Sequence, residues 1–559
     1  MPEYPSLMDN PAKAGLDDDL YDNGASGYTF DPKFSDGVSE EDLLSTINQW
    51  VTESRTYHDV MLLEQNEMVE YYRGNQTDLQ DIPVFNADSV YNRTFEAVET
   101  IVPIVTGSAH QFLAIPGLDT EPSVERAKKL QKVLIRKYED LEVQRHLENS
   151  TRDILLKRFG VLKWFWNVDL DDVDVKTVDP RLILIPRLRC DANELPYVIE
   201  LQEYTYDEIK QNFPDVSPDE LIRGKIEPVF NQTYFYTTAD NNIFQILEVW
   251  TPEYVVWKQQ DRILKRMPNP YFDFEGVEES VKTTRPNGKV KEVKYKKFYN
   301  HLDRPQMPFV FLNPFVTGDS PVAEASLAWI AKPIQDDINT QKRQIINNLV
   351  KMGNGQVFVD SGAIPEERVD EITSEPGLII QGDHLASENR IRRDPGVPLP
   401  NAHFRNLQES IIAFDNIFGI HGALRGAGGD KTLGGQILNR QQDLSRVDQI
   451  TRCLNRGVAR LADGLVQMMK LFYTEDQVIK ILGNDGAIEF ITFTRNDIDD
   501  GTVIVVKSGV PVSLDPQGRY NQAIQLWQLN ALDPETLFER LDFADPQATA
   551  KKLLAWKQG

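Results

Sequence analysis

LGGQILNRQQDLSRVDQITRCLNRGVARLADGLVQMMKLFY, the stretch from Leu433 to Tyr473, contains the longest regular pattern in the chain. Its apolar side chains recur at alternating steps of three and four residues, which is the period of a helix with one buried face. Such a helix measures about 60 Å at ~1.5 Å per residue, so it needs a packing partner along its whole stripe. That partner is either its own domain or a neighbouring subunit, and the residues predicted to pack are Leu444, Val447, Leu454, Val458, Leu461 and Leu465.

A glycine-rich segment, GALRGAGGDKT at Gly422–Thr432, comes directly before this helix. It does not fit a phosphate-binding P-loop, because Asp430 stands where a glycine must precede the lysine and because a predicted helix precedes it. Arg425 and Lys431 are its cationic groups, and we expect them to make transient contacts with a polyanion. The composition predicts a flexible loop and a weakened first helical turn, through Gly422, Gly426, Gly428, Gly429, Gly434 and Gly435.

Two shorter helices are predicted before the loop. The first begins at Ser320-Pro321, where serine can cap free amides and proline loses no hydrogen bond, and it runs to 353. The second covers 401–420, and the region 354–400 between them contains short β-like pieces separated by turns. The order from 320 onward is therefore helix, small β-rich region, helix, glycine-rich loop and very long helix.

The chain before 320 mixes helices with strands. Residues 1–40 are predicted to be an acidic, flexible arm. Helical periodicity covers Glu41–Gly74 and 122–157, and the aromatic and β-branched alternation of Gly160–Val168 predicts a strand. The segment Met267–Asn300 predicts a hairpin or an exposed loop. Further strands are predicted at 176–185, 197–201, 243–258, 488–493 and 502–507, and further helices at 207–213, 519–529 and 548–556.

The composition describes an acidic protein with an ordinary core. Of 559 residues, 41% are hydrophobic and 26% are charged, and the formal net charge is −26. This charge argues against a basic DNA-binding protein, although an acidic protein can let DNA pass without adhering to it. Cys190 and Cys453 form no disulfide framework. The N-terminus lacks a secretion signal and no apolar run approaches the ~20 residues of a membrane span, so we expect a soluble intracellular product.

No pattern in the sequence supports catalysis. The seven histidines lack HExxH and HxxxH spacing, and no GxSxG motif occurs. The acidic run from Asp169 to Asp174 lacks the glycine and the glutamate of a calcium loop, so a solvated turn is the simpler interpretation. We therefore predict no metal site, no cofactor and no enzyme activity.

The order of elements after 320 resembles the stem–clip–stem–tunnel loop–long helix core of the portal proteins (head-to-tail connectors) of tailed bacteriophages, of the podovirus type. The fold implied is α+β and mainly helical, with wing, stem, clip and crown regions, and the resemblance covers roughly 41–530. The strings that carry it are YYRGNQ at 71–76, Gly160–Trp166 with Val178-Asp179-Pro180, PIQDDIN at 333–339 with Arg343 and Asn347-Asn348-Leu349, and Phe418-Gly419-Ile420 before the glycine-rich loop.

The resemblance implies a function. Members of this family form a ring, usually of twelve subunits, at one capsid vertex, and a separate terminase pumps double-stranded DNA through the ring. Major capsid or scaffolding protein and tail or adaptor proteins are the further partners, and no membrane is involved. The protein would be made in the host cytoplasm and would reside in the virion, with Arg425 and Lys431 touching DNA in the channel.

The resemblance also implies a division of the chain. It assigns 1–40 to an N-terminal arm, 41–319 to the wing, 320–353 and 401–420 to two stem helices, 354–400 to the clip, 421–432 to the tunnel loop, 433–475 to the long wing helix, 476–515 to wing strands and 516–559 to C-terminal crown helices.

Two other functions stay open from the residues alone. One is another ring-forming or scaffolding protein of the virion, which the two-helix insertion at 320–420 would discriminate. The other is a nucleic-acid-processing enzyme, which is disfavoured because the sequence contains neither an acidic metal cluster nor a nucleotide-binding loop.

Overall fold

The protein combines long helices with small antiparallel sheets. The computed structural model describes residues 38–76, 87–107, 110–223, 243–284, 290–353, 357–360, 364, 391–393, 397–420, 433–475, 477–482, 488–508 and short stretches between 523 and 553. Helix makes up 51% of the described residues and exceeds strand, which confirms a mixed, mainly helical class.

Nine α-helices lie in the described part of the chain, apart from single turns near the C-terminus. They are α1 (Glu40–Arg73), α2 (Arg93–Thr106), α3 (Glu121–Asp140), α4 (Val143–Lys157), α5 (Tyr206–Asn212), α6 (Leu327–Gly353), α7 (Asn401–Phe418), α8 (Leu433–Phe472) and α9 (Pro534–Arg540).

All strand pairs are antiparallel, and they form one five-stranded sheet, one three-stranded sheet and four two-stranded ribbons among the described residues. The five-stranded sheet has the order β4 (Ile183–Leu184), β5 (Val198–Thr205), β6 (Ile243–Trp250), β7 (Tyr254–Gln259), β8 (Arg262–Pro268). The three-stranded sheet has β2 (Gly160–Asn167) between β3 (Asp172–Val178) and β11 (Phe309–Leu312). The ribbons pair β1 (His110–Ile115) with β16 (Val503–Ser508), β9 (Val277–Thr284) with β10 (Val290–Lys297), β12 (Val357–Val359) with β13 (Ile391–Arg393), and β14 (Gln477–Leu482) with β15 (Ile488–Phe493).

Local signals explain the ends of α1. The side chain of Ser39 accepts a hydrogen bond from the Asp42 amide at 3.2 Å, and acidic residues occupy the first turn, where they offset the helix dipole. Gly74 ends the helix in the left-handed region with φ of 96°, a conformation that favours glycine.

The helix predicted over 122–157 is two helices. Glu142 lies between α3 and α4 with φ of 47°, so the chain turns there. The periodicity does not reveal this break, because buried Leu134 and Val143 belong to the same core on either side of it.

Helix α8 crosses the three-stranded sheet at close range. A Cβ atom on Gly457 would lie 2.1 Å from Leu312, and one on Gly464 would lie 2.6 Å from the Trp164 ring. The two glycines therefore let the helix backbone approach β11 and β2, and the largest hydrophobic core forms around this contact.

Several other elements differ from the sequence-based expectation. The stretch 243–258 is two strands joined at Thr251–Glu253, and α2 and β14 were not predicted. Helix α6 begins at Leu327, because Ser326 caps it through a hydrogen bond from the Trp329 amide at 3.1 Å. Most of the region 354–400, with its predicted β-like pieces, lies outside the described residues, as do parts of both predicted terminal helices.

Candidate functional site

The predicted glycine-rich loop lies outside the described residues. This applies to Arg425, Lys431, Gly422, Gly426, Gly428 and Gly429. Gly434 and Gly435 lie in the first turn of α8, and Leu444 lies in the same helix, but their side-chain surroundings are also outside the description.

The rest of the predicted packing stripe is buried inside the chain's own core. A side chain that its own chain already covers offers no surface to a neighbour, so a surface for a neighbouring subunit has to lie elsewhere. Each of these five residues is at most 4% exposed: Val447, Leu454, Val458, Leu461 and Leu465.

Amide side chains on one face of α6 hold the segment before α2. The Tyr91 amide donates to Asn339 Oδ1 at 2.9 Å, and Gln335 Nε2 donates to the Tyr91 carbonyl at 2.8 Å. The Ala87 amide donates to Asn347 Oδ1 at 2.7 Å. The side-chain amides of Gln335, Asn339 and Asn347 are four and eight residues apart, so they lie on one face of α6. We call this set of contacts the amide seam.

The seam continues to the end of α1. Asn339 Nδ2 donates to Gln76 Oε1 at 2.7 Å, and the Tyr71 hydroxyl donates to Asp336 at 2.6 Å. Burial raises the pKa of Tyr71 to about 12, and its hydrogen bond to Asp336 acts in the same direction. The motifs at 71–76 and 333–339, which stand far apart in the sequence, are therefore in direct contact.

A buried ion pair marks the start of α6. Glu64 on α1 accepts a hydrogen bond from the Ser326 amide at 3.0 Å and also pairs with Arg158. Arg158 has a positive φ of 78°, which is a strained backbone conformation for a residue with a side chain. The pair joins α1, the end of α4 and the beginning of α6.

Helices α6 and α7 form an antiparallel pair tied by polar contacts near the core. Asp337 on α6 accepts hydrogen bonds from Gln341 at 2.6 Å and from Ser410 on α7 at 2.7 Å. Arg93 donates to Asp415 at 2.5 Å, so α2 also holds α7.

The far half of this pair stands clear of the core. All buried residues of α6 lie between Ala328 and Gln341, and later residues of the helix are partly or fully exposed. Large apolar side chains are nevertheless exposed along the pair, a feature typical of interaction sites. They are Leu349 (60% exposed), Val350 and Met352 on α6, and Phe404 (50%) and Ile412 (53%) on α7. We call these five residues the stem patch.

A buried ion-paired network inside the subunit contains some of the groups with shifted pKa values. Lys163 is buried and donates to Glu200 at 2.6 Å and to Glu248 at 3.0 Å. Burial alone would raise the pKa of Glu200, but Lys163 and Lys176 lower it to about 2. Burial lowers the pKa of Lys258 to about 8. Charged partners satisfy the Lys163 network, so it serves to join β2 to β5 and β6.

The described residues contain no group of three or more His, Cys, Asp or Glu side chains arranged to hold a metal ion. Across the same residues, no helix has the length and hydropathy to cross a membrane. Asp172 of the acidic run, whose neighbour Asp171 has φ of 49°, pairs with Lys137 and accepts a hydrogen bond from the Tyr473 hydroxyl at 2.5 Å.

Sequence reasoning missed the amide seam and the stem patch. The seam residues appear in the sequence as polar positions of an amphipathic helix, and only their spacing of four and eight residues hints at a shared face. Leu349 and Met352 continue the apolar pattern of that helix, and periodicity cannot distinguish a face covered by the same chain from one left open.

Comparisons with known proteins follow this geometry. The family model described as "Phage P22-like portal protein" matches residues 48–515. Two solved structures are similar to the chain at 11% identity each. The virion of a native gene transfer agent particle matches with TM-score 0.40, over 84% of this chain and 89% of that chain. The neck of an empty gene transfer agent particle matches with TM-score 0.34, over 78% and 85%. No curated protein matches the sequence.

Proposed function

Because the chain belongs to the phage P22-like portal protein family, we propose that it forms the ring at one capsid vertex through which the genome enters and leaves. The family is a structural one, its members are components of the virion, and their role is that of a portal or connector. Membership implies an oligomeric ring. We propose twelve subunits for it.

The observation that carries the proposal is the helix pair α6–α7 within a chain that matches the family over most of its length. The pair exposes the stem patch, which a single subunit leaves in water. Neighbouring copies in a ring would cover it, since burying apolar surface is favourable at about 25 cal/mol per Å². We therefore assign α6 and α7 to the stem and the stem patch to the contact between subunits.

The remaining regions follow the same proposal. The part before α6 is the wing, β12 and β13 belong to the clip, α8 is the long wing helix and the last helices form the crown. The segment 421–432 is the tunnel loop, with Arg425 and Lys431 touching DNA and the glycines around them acting as its hinge. Terminase, major capsid or scaffolding protein, and tail or adaptor proteins are the proposed partners, and the ring itself has no catalytic activity.

The acidic charge of the chain supports a passive channel. At −26 per subunit, most of the surface repels a polyanion, so DNA slides past it without lasting attachment. Isolated basic groups then provide brief contacts that salt weakens.

Electron microscopy of the purified full-length chain tests the ring. We expect rings with a central hole wide enough for duplex DNA. The double variant Phe404→Asp with Ile412→Asp places two charges in the stem patch, so rings should be lost while the subunit stays folded, because both residues are exposed in the single chain.

Asn406→Asp is the matched control, since it adds the same residue type at an exposed position on another face of α7. It should leave the rings intact. Rings that persist in the double variant would exclude the stem patch as the subunit contact, and a wild-type chain that never forms rings would overturn the proposed function. Circular dichroism and native mass measurement would separate lost assembly from lost folding.

A further inference from the structure

The ribbon β9–β10 is locally basic in a strongly acidic chain. Its two strands, Val277–Thr284 and Val290–Lys297, contain five lysines against three glutamates, a net charge of +2, whereas the whole chain carries −26. Most of the surface is acidic and repels a polyanion. A polyanion therefore binds where the local charge is positive. Among the described residues this ribbon is such a place.

The register of the ribbon places two exposed lysines on one face. Lys294 pairs with Ser280 and Lys296 pairs with Glu278, and side chains two positions apart lie on the same side of a strand. Both lysines are exposed. Neither β9 nor β10 pairs with any other described strand, so the ribbon stands apart from the larger sheets.

The base of the ribbon is fixed to the core by a closed set of hydrogen bonds. Asp273 accepts the Gly276 amide at 2.8 Å and the Tyr299 amide at 3.0 Å, so one carboxylate closes both ends. Asn300 accepts the Asp273 amide at 2.9 Å and returns a hydrogen bond to the Asp273 carbonyl at 2.9 Å. The ribbon therefore has a defined root instead of a loose hinge.

Helix α8 holds this root. Gln467 is fully buried, and its Nε2 donates to Asn300 Oδ1 at 2.9 Å while its Oε1 accepts the His301 amide at 2.6 Å. The ribbon is thus attached to the helix that directly follows the proposed tunnel loop. A fixed root keeps the exposed lysines at a set position on every subunit, which suits a stiff ligand.

The lysine spacing fits the backbone of a nucleic acid. Two positions along an antiparallel strand are about 6.8 Å apart, twice the ~3.4 Å axial spacing of phosphates on one DNA strand. Lysine is a point charge that binds phosphate without reading bases. The two lysines therefore favour contact with DNA that does not depend on its base sequence.

We propose that the ribbon β9–β10 is a binding site for the phosphate backbone of double-stranded DNA, through Lys294 and Lys296. This inference rests on the proposed function, because it takes packaged DNA as the polyanion. The ribbon is separate in sequence from the proposed tunnel loop at 421–432. Repetition around a ring turns weak single contacts into a collar of basic ribbons.

The test is duplex binding by the full-length chain. A fluorescent duplex of arbitrary sequence, about 30 base pairs long, is titrated by anisotropy at several salt concentrations up to ~0.2 M. The variant Lys294→Glu with Lys296→Glu should bind about tenfold more weakly at low salt, and the slope of log affinity against log salt should fall by about two per ribbon engaged. The control Lys128→Glu with Lys210→Glu makes the same charge change at exposed positions on α3 and α5, and it should bind like the wild type.

Two results would overturn the proposal. The first is equal binding and equal salt slopes for the wild type and the ribbon variant. The second is unchanged duplex binding together with loss of binding to a peptide of residues 1–37, which would make the ribbon a docking site for the acidic arm. The ribbon variant should still form rings in electron micrographs, since ring assembly uses the stem patch. A ribbon variant that forms rings but binds DNA like the wild type contradicts only the ribbon proposal, whereas a wild-type chain without rings contradicts the proposed function.

Discussion

Gly464 illustrates how a single residue sets the packing of the longest helix. Glycine inside a helix costs roughly 1 kcal/mol relative to alanine, so the sequence alone suggests a weak point. In the structure, the absent side chain makes room for the ring of Trp164, which is 2% exposed and also packs against Tyr271 at 5.2 Å between ring centroids. The close approach of helix to sheet offsets the cost in helix propensity.

Gly464→Ala should therefore destabilise the subunit, although alanine is the better helix former. The new Cβ would lie 2.6 Å from a ring that its neighbours hold in place, and such overpacking costs about 1–3 kcal/mol. The measurement is the midpoint of thermal unfolding. Gly353→Ala is the control, because a Cβ there meets nothing within 4 Å, and its midpoint should stay equal or rise slightly. A Gly464→Ala chain as stable as the wild type would show that the ring of Trp164 moves freely.

At the scale of elements, α6 has two halves with different environments. Its first half packs in the core and carries the amide seam, and its second half leaves the core and carries part of the stem patch. The seam fixes where the helix leaves the core, because its hydrogen bonds reach backbone amides of the segment 87–93. The position of α6 relative to the segment 87–93 is therefore set by directional polar contacts.

Asn339→Ala should loosen this joint without unfolding the chain. The substitution removes the acceptor of the Tyr91 amide and the donor to Gln76, and each unsatisfied buried partner costs roughly 1–3 kcal/mol. Hydrogen exchange of the amides in 87–93 should accelerate, while exchange in α8 stays as in the wild type. Thr340→Ala, at the next and exposed position, should leave both unchanged. Equal protection of 87–93 in the Asn339→Ala chain would mean that the seam does not hold that segment.

In the whole molecule, the proposed function predicts that an acidic subunit touches DNA at few points. A ring repeats each basic group once per subunit, so a small number of lysines and arginines acts as a collar. Two collars follow from the proposals: the tunnel loop with Arg425 and Lys431, and the ribbon with Lys294 and Lys296. The root of the ribbon is closed by hydrogen bonds of Asp273 and Asn300.

Changing Arg425 and Lys431 together to Ala should preserve rings and impair packaging or retention of DNA. Neither residue belongs to an apolar stripe, so assembly should not depend on them. The defect should be greatest at low salt, where such contacts are least screened. Ring assembly is read by electron microscopy and packaging by the amount of nuclease-protected DNA. Normal packaging and infectious yield would remove the loop from the DNA contacts and leave the ring itself unaffected.

Elements whose signal is local could be predicted from the amino-acid sequence. Periodicity located α1, α7 and α8 to within about two residues, because helical spacing is written in neighbouring residues. The charge of −26 and the ordered series of elements also came from the sequence, and they led to the family that the comparison supports over residues 48–515.

Which apolar faces the chain covers for itself became visible in the three-dimensional structure. The stripe of α8 and the end of α6 have the same periodicity, yet Leu454 is 1% exposed and Leu349 is 60% exposed. Likewise, the amides of α6 find partners some 240 to 260 positions away. Helix and strand periods depend on adjacent residues. Burial, and hydrogen bonds between residues far apart in the sequence, depend on how the whole chain packs. The amide seam and the stem patch depend on this long-range packing.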